Sequence, residues 1–134
     1  MASALTVPMH SLRRSVFAWS LAWLLAGVVH AQITLNGDAV VYFGSAANTS
    51  APASIDETKV KEATTEWQTI QAEGVRPGSA RYRLLAAEMD KRIREAVKTV
   101  ASGASKDLVV RSGDVANAQG KEIVDLTDKV IAKL

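Results

Sequence analysis

Cysteine is absent from the chain, and its two histidines, His10 and His30, both lie in an N-terminal stretch that reads as a removable leader. Past residue 31 there is thus no side chain for a Ser-His or Cys-His nucleophile system or for a His or Cys metal site. Only carboxylates remain for acid-base work, and no two stand at a recognisable catalytic spacing. No glycine-rich segment ends in Lys followed by Ser or Thr, so no phosphate loop is expected, and Gly74 and Gly78 read as turn residues. The chemistry left is noncovalent. Trp67, Ile70 and Met89 offer apolar area, while Arg76, Arg81 and Arg83 offer charge to an acidic segment. These six are the candidate partner-contact residues. Each also has a plainer assignment: Trp67 and Met89 fall on an apolar helical spacing and suit a helix seam better, and the arginines suit a solvated face. Asp125 reads as a helix cap, and Asp107 and Asp114 as residues bounding strands and turns. No enzymatic activity, cofactor or metal is expected.

The leader rests on three features. Arg13 and Arg14 form a positive start, residues 15–29 are mostly apolar and uncharged, and Val29-His30-Ala31 puts small residues where a signal peptidase reads. Cleavage is expected after Ala31, with either Met1 or Met9 as the start. A retained anchor needs about 20 apolar residues and this run is shorter. With no cysteine after the apolar run, a lipid-modified terminus is excluded. The expected organisation is therefore a signal peptide over 1–31 and one domain over 32–134.

The whole chain carries 16 Lys and Arg against 14 Asp and Glu, but losing Arg13 and Arg14 makes the remainder formally neutral. Charge is nevertheless segregated. Residues 32–73 hold two bases, Lys59 and Lys61, against six acids, whereas 74–111 hold nine bases against four acids. Such a basic stretch attracts anionic partners or an acidic segment of the same chain. Few large apolar residues and no disulfide point to self-association as a source of stability.

These residues must be positioned by a small set of elements. Residues 39–43 (AVVYF) form the strongest early strand candidate, and 44–54 read as a loop. Over 55–73, Val60, Ala63, Trp67 and Ile70 step at helical spacing, with Ser54 or Asp56 as the cap. Gly74, Pro77 and Ser79 then stop one helix and cap the next, which should run over 80–101 through Tyr82, Leu85, Met89, Ile93, Ala96 and Val100. A strand over 107–111, a turn, a return strand over 115–117 and a helix capped by Asp125 complete the order β-α-α-β-β-α. The expected fold is α+β: a small antiparallel-type sheet body with a protruding αα-hairpin arm over 55–101.

Two passages carry a resemblance. Residues 96–110 (AVKTVASGASKDLVV) resemble the passage of the Skp (OmpH) family of periplasmic chaperones in which a basic helix runs into an aspartate-led apolar strand. Residues 124–134 (VDLTDKVIAKL) are similar to that family's Asp-Ile-Thr-x-x-Val-Ile terminal helix, and 39–44 stand where its first strand would be. The resemblance implies a homotrimer in the periplasm whose joined sheets carry three arms, holding unfolded outer-membrane proteins without ATP. One departure is large: family members have long arms, and 55–101 allow at most about five turns per helix.

Three functions follow as expectations. The first is a short-armed holdase for unfolded outer-membrane proteins. The second is a trimeric structural or adaptor module of the envelope that binds a folded partner. The third is a membrane-surface protein whose basic helix contacts anionic lipid, although Glu88, Asp90 and Glu95 interrupt the polar face such a helix needs. No nucleic-acid partner is expected of a neutral exported chain.

Overall fold

The computed structural model of the protein describes residues 32–134; the expected leader and its cleavage bond lie outside the described residues. The elements are β1 (Thr34–Leu35), β2 (Val41–Gly44), β3 (Pro52–Ile55), α1 (Glu57–Glu62), α2 (Thr65–Ala72), α3 (Ala80–Gly103), β4 (Leu108–Arg111), β5 (Val115–Asn117), β6 (Val124–Asp125) and α4 (Thr127–Ile131). The class is α+β, with four strands in the order β2-β4-β3-β6 and a separate β1-β5 pair.

The body departs from the expected antiparallel type. β2 and β4 are antiparallel, as are β1 and β5, but β3 runs parallel to both β4 and β6. Parallel neighbours need a long crossover, and the three helices between β3 and β4 supply it. β3 itself lies at the end of the segment expected to be a loop. Its residues Pro-Ala-Ser-Ile are mostly poor strand formers, and pairing on both sides overrides that preference. Pro52 takes the first position, where its missing N–H does least harm, and Ala53 and Ile55 are fully buried. The strand that runs straight into the helices is therefore β3, and 39–44 supplies an edge strand instead.

The helix expected over 55–73 is two helices. Thr64, fully buried, accepts from the Trp67 backbone N–H at 3.2 Å and donates to the Lys61 carbonyl at 2.6 Å, so one hydroxyl closes α1 and caps α2. Threonine hydroxyls compete with the helical ladder in this way. The other caps fall as the sequence suggests: Asp56 accepts from Lys59 N–H at 3.2 Å and Ser79 from Tyr82 N–H at 3.1 Å. Asp125 accepts from Thr127 N–H at 2.8 Å, although Leu126 occupies the capping position itself.

α3 spans 24 residues, about 36 Å at 1.5 Å per residue and about six and a half turns, so it exceeds the five turns expected of each helix. Its buried residues, Met89, Ile93, Ala96, Val97, Val100 and Ala101, all lie beyond its first two turns. They join Tyr42, Ile55, Val60, Val109, Leu126 and Val130 in one core. Leu108, Val109 and Val110 are wholly buried, as suits a central strand covered on both faces. α2 packs on α3 and α1, whereas α3 also packs on β2, β4 and α4.

Residues 32–51 carry β1 and the edge strand β2 of this sheet. Asp107 clasps their end, accepting from Ser50 N–H at 2.7 Å, Ser50 Oγ at 2.8 Å, Ala51 N–H at 3.0 Å and the Thr49 hydroxyl. At Gly44, φ is +75° and a Cβ would lie 1.9 Å from the Asp107 carbonyl oxygen, so the clasp leaves room for glycine alone. Asp114 holds the residue before β2, accepting from Val40 N–H at 2.7 Å while Arg111 grips its other oxygen at 2.9 Å.

Candidate functional site

The turn between α2 and α3 gathers most of the candidate contact residues. α2 closes with the Gly74 residue at φ +61°. The Val75 N–H bonds back to the Ile70 carbonyl at 3.0 Å, and the Gly74 N–H reaches the Gln71 carbonyl at 3.4 Å. This paired pattern folds the residue after the glycine onto the last turn of the helix it ends. Val75 is thereby set beside Ile70. Ser79 then starts α3 and turns Tyr82 toward the same place. The result is a shallow groove of about 330 Å³ lined chiefly by Trp67, Ile70, Val75, Pro77 and Tyr82.

Three arginines stand next in the chain to lining residues or within one turn of them. Arg81 pairs with Glu73, whereas Arg76 and Arg83 are exposed and hold no ion pair among the described residues. Leu84, next in the chain, is 61% exposed and is the most conspicuous uncovered apolar side chain among the described residues. Lower on the same helix pair, Glu66 is buried and accepts both from Arg92 Nε at 2.9 Å and from an Arg92 terminal nitrogen at 2.8 Å. That fork fixes α2 against α3, and the hydrogen bonds it donates to Glu66 raise the already high pKa of the Arg92 guanidinium.

The charge segregation of the sequence acquires a structural meaning here. Glu66–Arg92, Glu73–Arg81 and the looser Glu57–Arg111 contact at 3.6 Å each join the acidic stretch 32–73 to the basic stretch 74–111. Much of the basic excess is thus answered within the molecule, and what is left uncompensated at the turn is Arg76 and Arg83.

Of the six candidate residues, Trp67, Ile70, Arg76, Arg81 and Arg83 cluster at this end. Ile70 is only 4% exposed and forms the floor; Trp67 is half-buried and keeps an open side. Met89 stands apart, 6% exposed within the body core. Val75, Pro77 and Tyr82 were not anticipated as part of the site. The sequence did hold a signal for Val75: an apolar residue directly after the helix-ending glycine commonly packs on the one five residues before it, here Ile70.

Two further depressions exist. One, about 400 Å³, is lined by Glu66, Glu88, Lys91, Arg92 and Glu95 and is the polar surface of the Glu66–Arg92 fork. The other, about 500 Å³ and largely apolar, runs between the end of α3 and α4, past Val100, Ala104 and Ala132. Among the described residues no three His, Cys, Asp or Glu side chains converge as a metal site requires, and no helix is long and apolar enough to cross a membrane. No family model, curated protein or solved structure matches the chain.

Proposed function

We propose that the protein is an exported holdase of the cell envelope, acting in the periplasm without ATP on unfolded outer-membrane proteins, as a homotrimer whose α2–α3 hairpins serve as short arms. One observation carries this reading: the far end of the helix pair presents an apolar groove and cations with no ion-pair partner among the described residues, and none of the first nine α3 residues is buried. A narrow apolar surface edged with charge gives weak, dispersed contacts, the kind that suit a disordered chain. The resemblance of residues 96–110 and 124–134 to the Skp family adds the envelope address and the trimer. The chain is read as a binding protein and not as an enzyme.

The test is light scattering of a urea-denatured outer-membrane protein diluted into buffer with and without the processed chain, alongside the mass of the processed chain in solution. Trimers that suppress aggregation at near-stoichiometric amounts are expected; monomers without that activity would sink the reading.

A second reading is favoured by one feature. The Glu66–Arg92 fork stiffens an already short arm, which suits docking onto a folded partner better than enclosing a flexible one. A trimeric adaptor of this kind would keep its mass in the same experiment and protect nothing.

A further inference from the structure

The groove at the α2–α3 turn is too small for a folded surface and too particular for a general apolar stripe. Its volume of about 330 Å³ lies at the lower end of the ~300–1,000 Å³ usual for small-ligand sites, enough for one or two side chains. Aromatic residues reach it from both helices, Trp67 from α2 and Tyr82 from α3, and Pro77 closes it from the turn. Aromatic walls of this kind favour an aromatic guest in stacked or edge-on contact. The backbone around it is held by the Gly74 closure and the Ser79 cap, so the groove is preformed and its occupant bears the ordering cost.

Charge selects what must flank that guest. Arg76 lies between two lining residues, Val75 and Pro77, and Arg83 directly follows Tyr82. Neither has an ion-pair partner among the described residues, whereas the nearby Glu73 carboxylate is engaged by Arg81. The free charge beside the groove is therefore positive. Resting on the holdase reading and deepening it, we infer that this groove takes a single aromatic side chain from an extended client segment in which acidic residues flank the aromatic one. The arm then has a sequence preference and is not a uniform apolar surface.

Trp67 makes the test direct, because Trp19 and Trp23 both lie in the expected leader and Trp67 is the only tryptophan beyond it. The chain is purified as the cell processes it, with Trp19 and Trp23 changed to Phe should they remain, and Trp67 emission is followed during titration with three peptides. One carries Phe between pairs of Asp and Glu, one carries Phe between lysines, and one keeps the acidic flanks around Ala. The acidic Phe peptide should shift the emission saturably, and the lysine-flanked peptide should bind about three- to tenfold more weakly, the worth of two exposed ion pairs. The Ala peptide should bind more weakly still. In the double variant Arg76→Glu, Arg83→Glu, both sites being exposed and outside the core, the preference between the acidic and lysine-flanked peptides should reverse. Equal binding of all three, no saturable shift, or a shift with anionic lipid vesicles alone would overturn the inference. The two readings fail separately: binding of the acidic Phe peptide without protection of a denatured protein keeps this site and removes the holdase. Protection without any peptide preference removes this site alone.

Discussion

Asp107 shows how much one side chain can organise. Burial alone would raise its carboxyl pKa, but hydrogen bonds from Thr49, Ser50 and Ala51 together outweigh that and hold it well below the usual carboxylate range. Because the folded value is depressed, the stabilisation is present above the unfolded carboxylate pKa of about 4 and is lost as pH falls toward the folded one. Asp107→Asn keeps the shape but loses the charge and turns one acceptor into a donor, which then faces either the Ser50 or the Ala51 N–H group. Denaturant titrations at pH 7 should show a loss of about 1–3 kcal/mol, the cost of hydrogen bonds to a charged group left unmade. Between pH 5 and pH 2 the variant should lose less further stability than the native chain, since this clasp no longer titrates. Asp114 and Asp125, also held low by their hydrogen bonds, supply an acid limb common to both proteins, so only the difference between the curves reports on Asp107. Parallel curves would show that the clasp contributes nothing through its charge.

At the level of elements, α2 depends chiefly on α3 for its place. It packs on α1 and α3 alone among its principal neighbours, with one buried apolar side chain, Ile70, and one buried acid, Glu66. Arg92→Ala strips the fork and leaves that carboxylate buried without its partner. The expected consequence is local: amides of residues 65–72 should exchange with deuterium faster, while β3 and β4 keep their protection. Uniform acceleration across the chain would instead make the fork part of the global core. The same comparison of elements explains what the sequence made legible. Periodicity and cap residues located both long helical segments, and Ser79 and Gly74 marked the turn between them, because those signals are local. The break at Thr64 was hidden by an apolar spacing that continues across it from Val60 to Trp67 as though the helix did too. β3 was hidden because Pro52, Ala53 and Ser54 become a strand only through pairing with β4 and β6, residues more than fifty positions away. The end of α3 was blurred because Ser105, not Gly103, adopts the positive φ that closes it. The site was legible in the same measure: Trp67 and the arginines stood out by type, whereas Val75, Pro77 and Tyr82 join them only through the geometry of the turn.

For the molecule as a whole, the question is what the body does with the surface it leaves over. The sheet is only four strands wide, with β2 and β6 at its edges and β6 just two residues long. Val40, Phe43, Val124, Ile131 and Leu134 pack on the core yet remain partly open, and the depression between α3 and α4 is lined mainly by apolar atoms. No cysteine is present to staple the fold. The proposed trimer would cover these surfaces and add the stability of association to each chain. In a trimer, mass action then ties unfolding to concentration: folding of three chains into one particle is favoured as protein is added, so the apparent Tm must climb. Calorimetry over a hundredfold range of concentration should show a rise on the order of a few degrees, whereas a self-sufficient monomer would melt at one temperature throughout. On the proposed holdase reading the outcome reaches beyond stability, because the hairpins would have a common space to hold a client only if the bodies join. A constant Tm together with a monomeric mass would leave each groove to act alone, on short acidic aromatic segments rather than on whole unfolded chains.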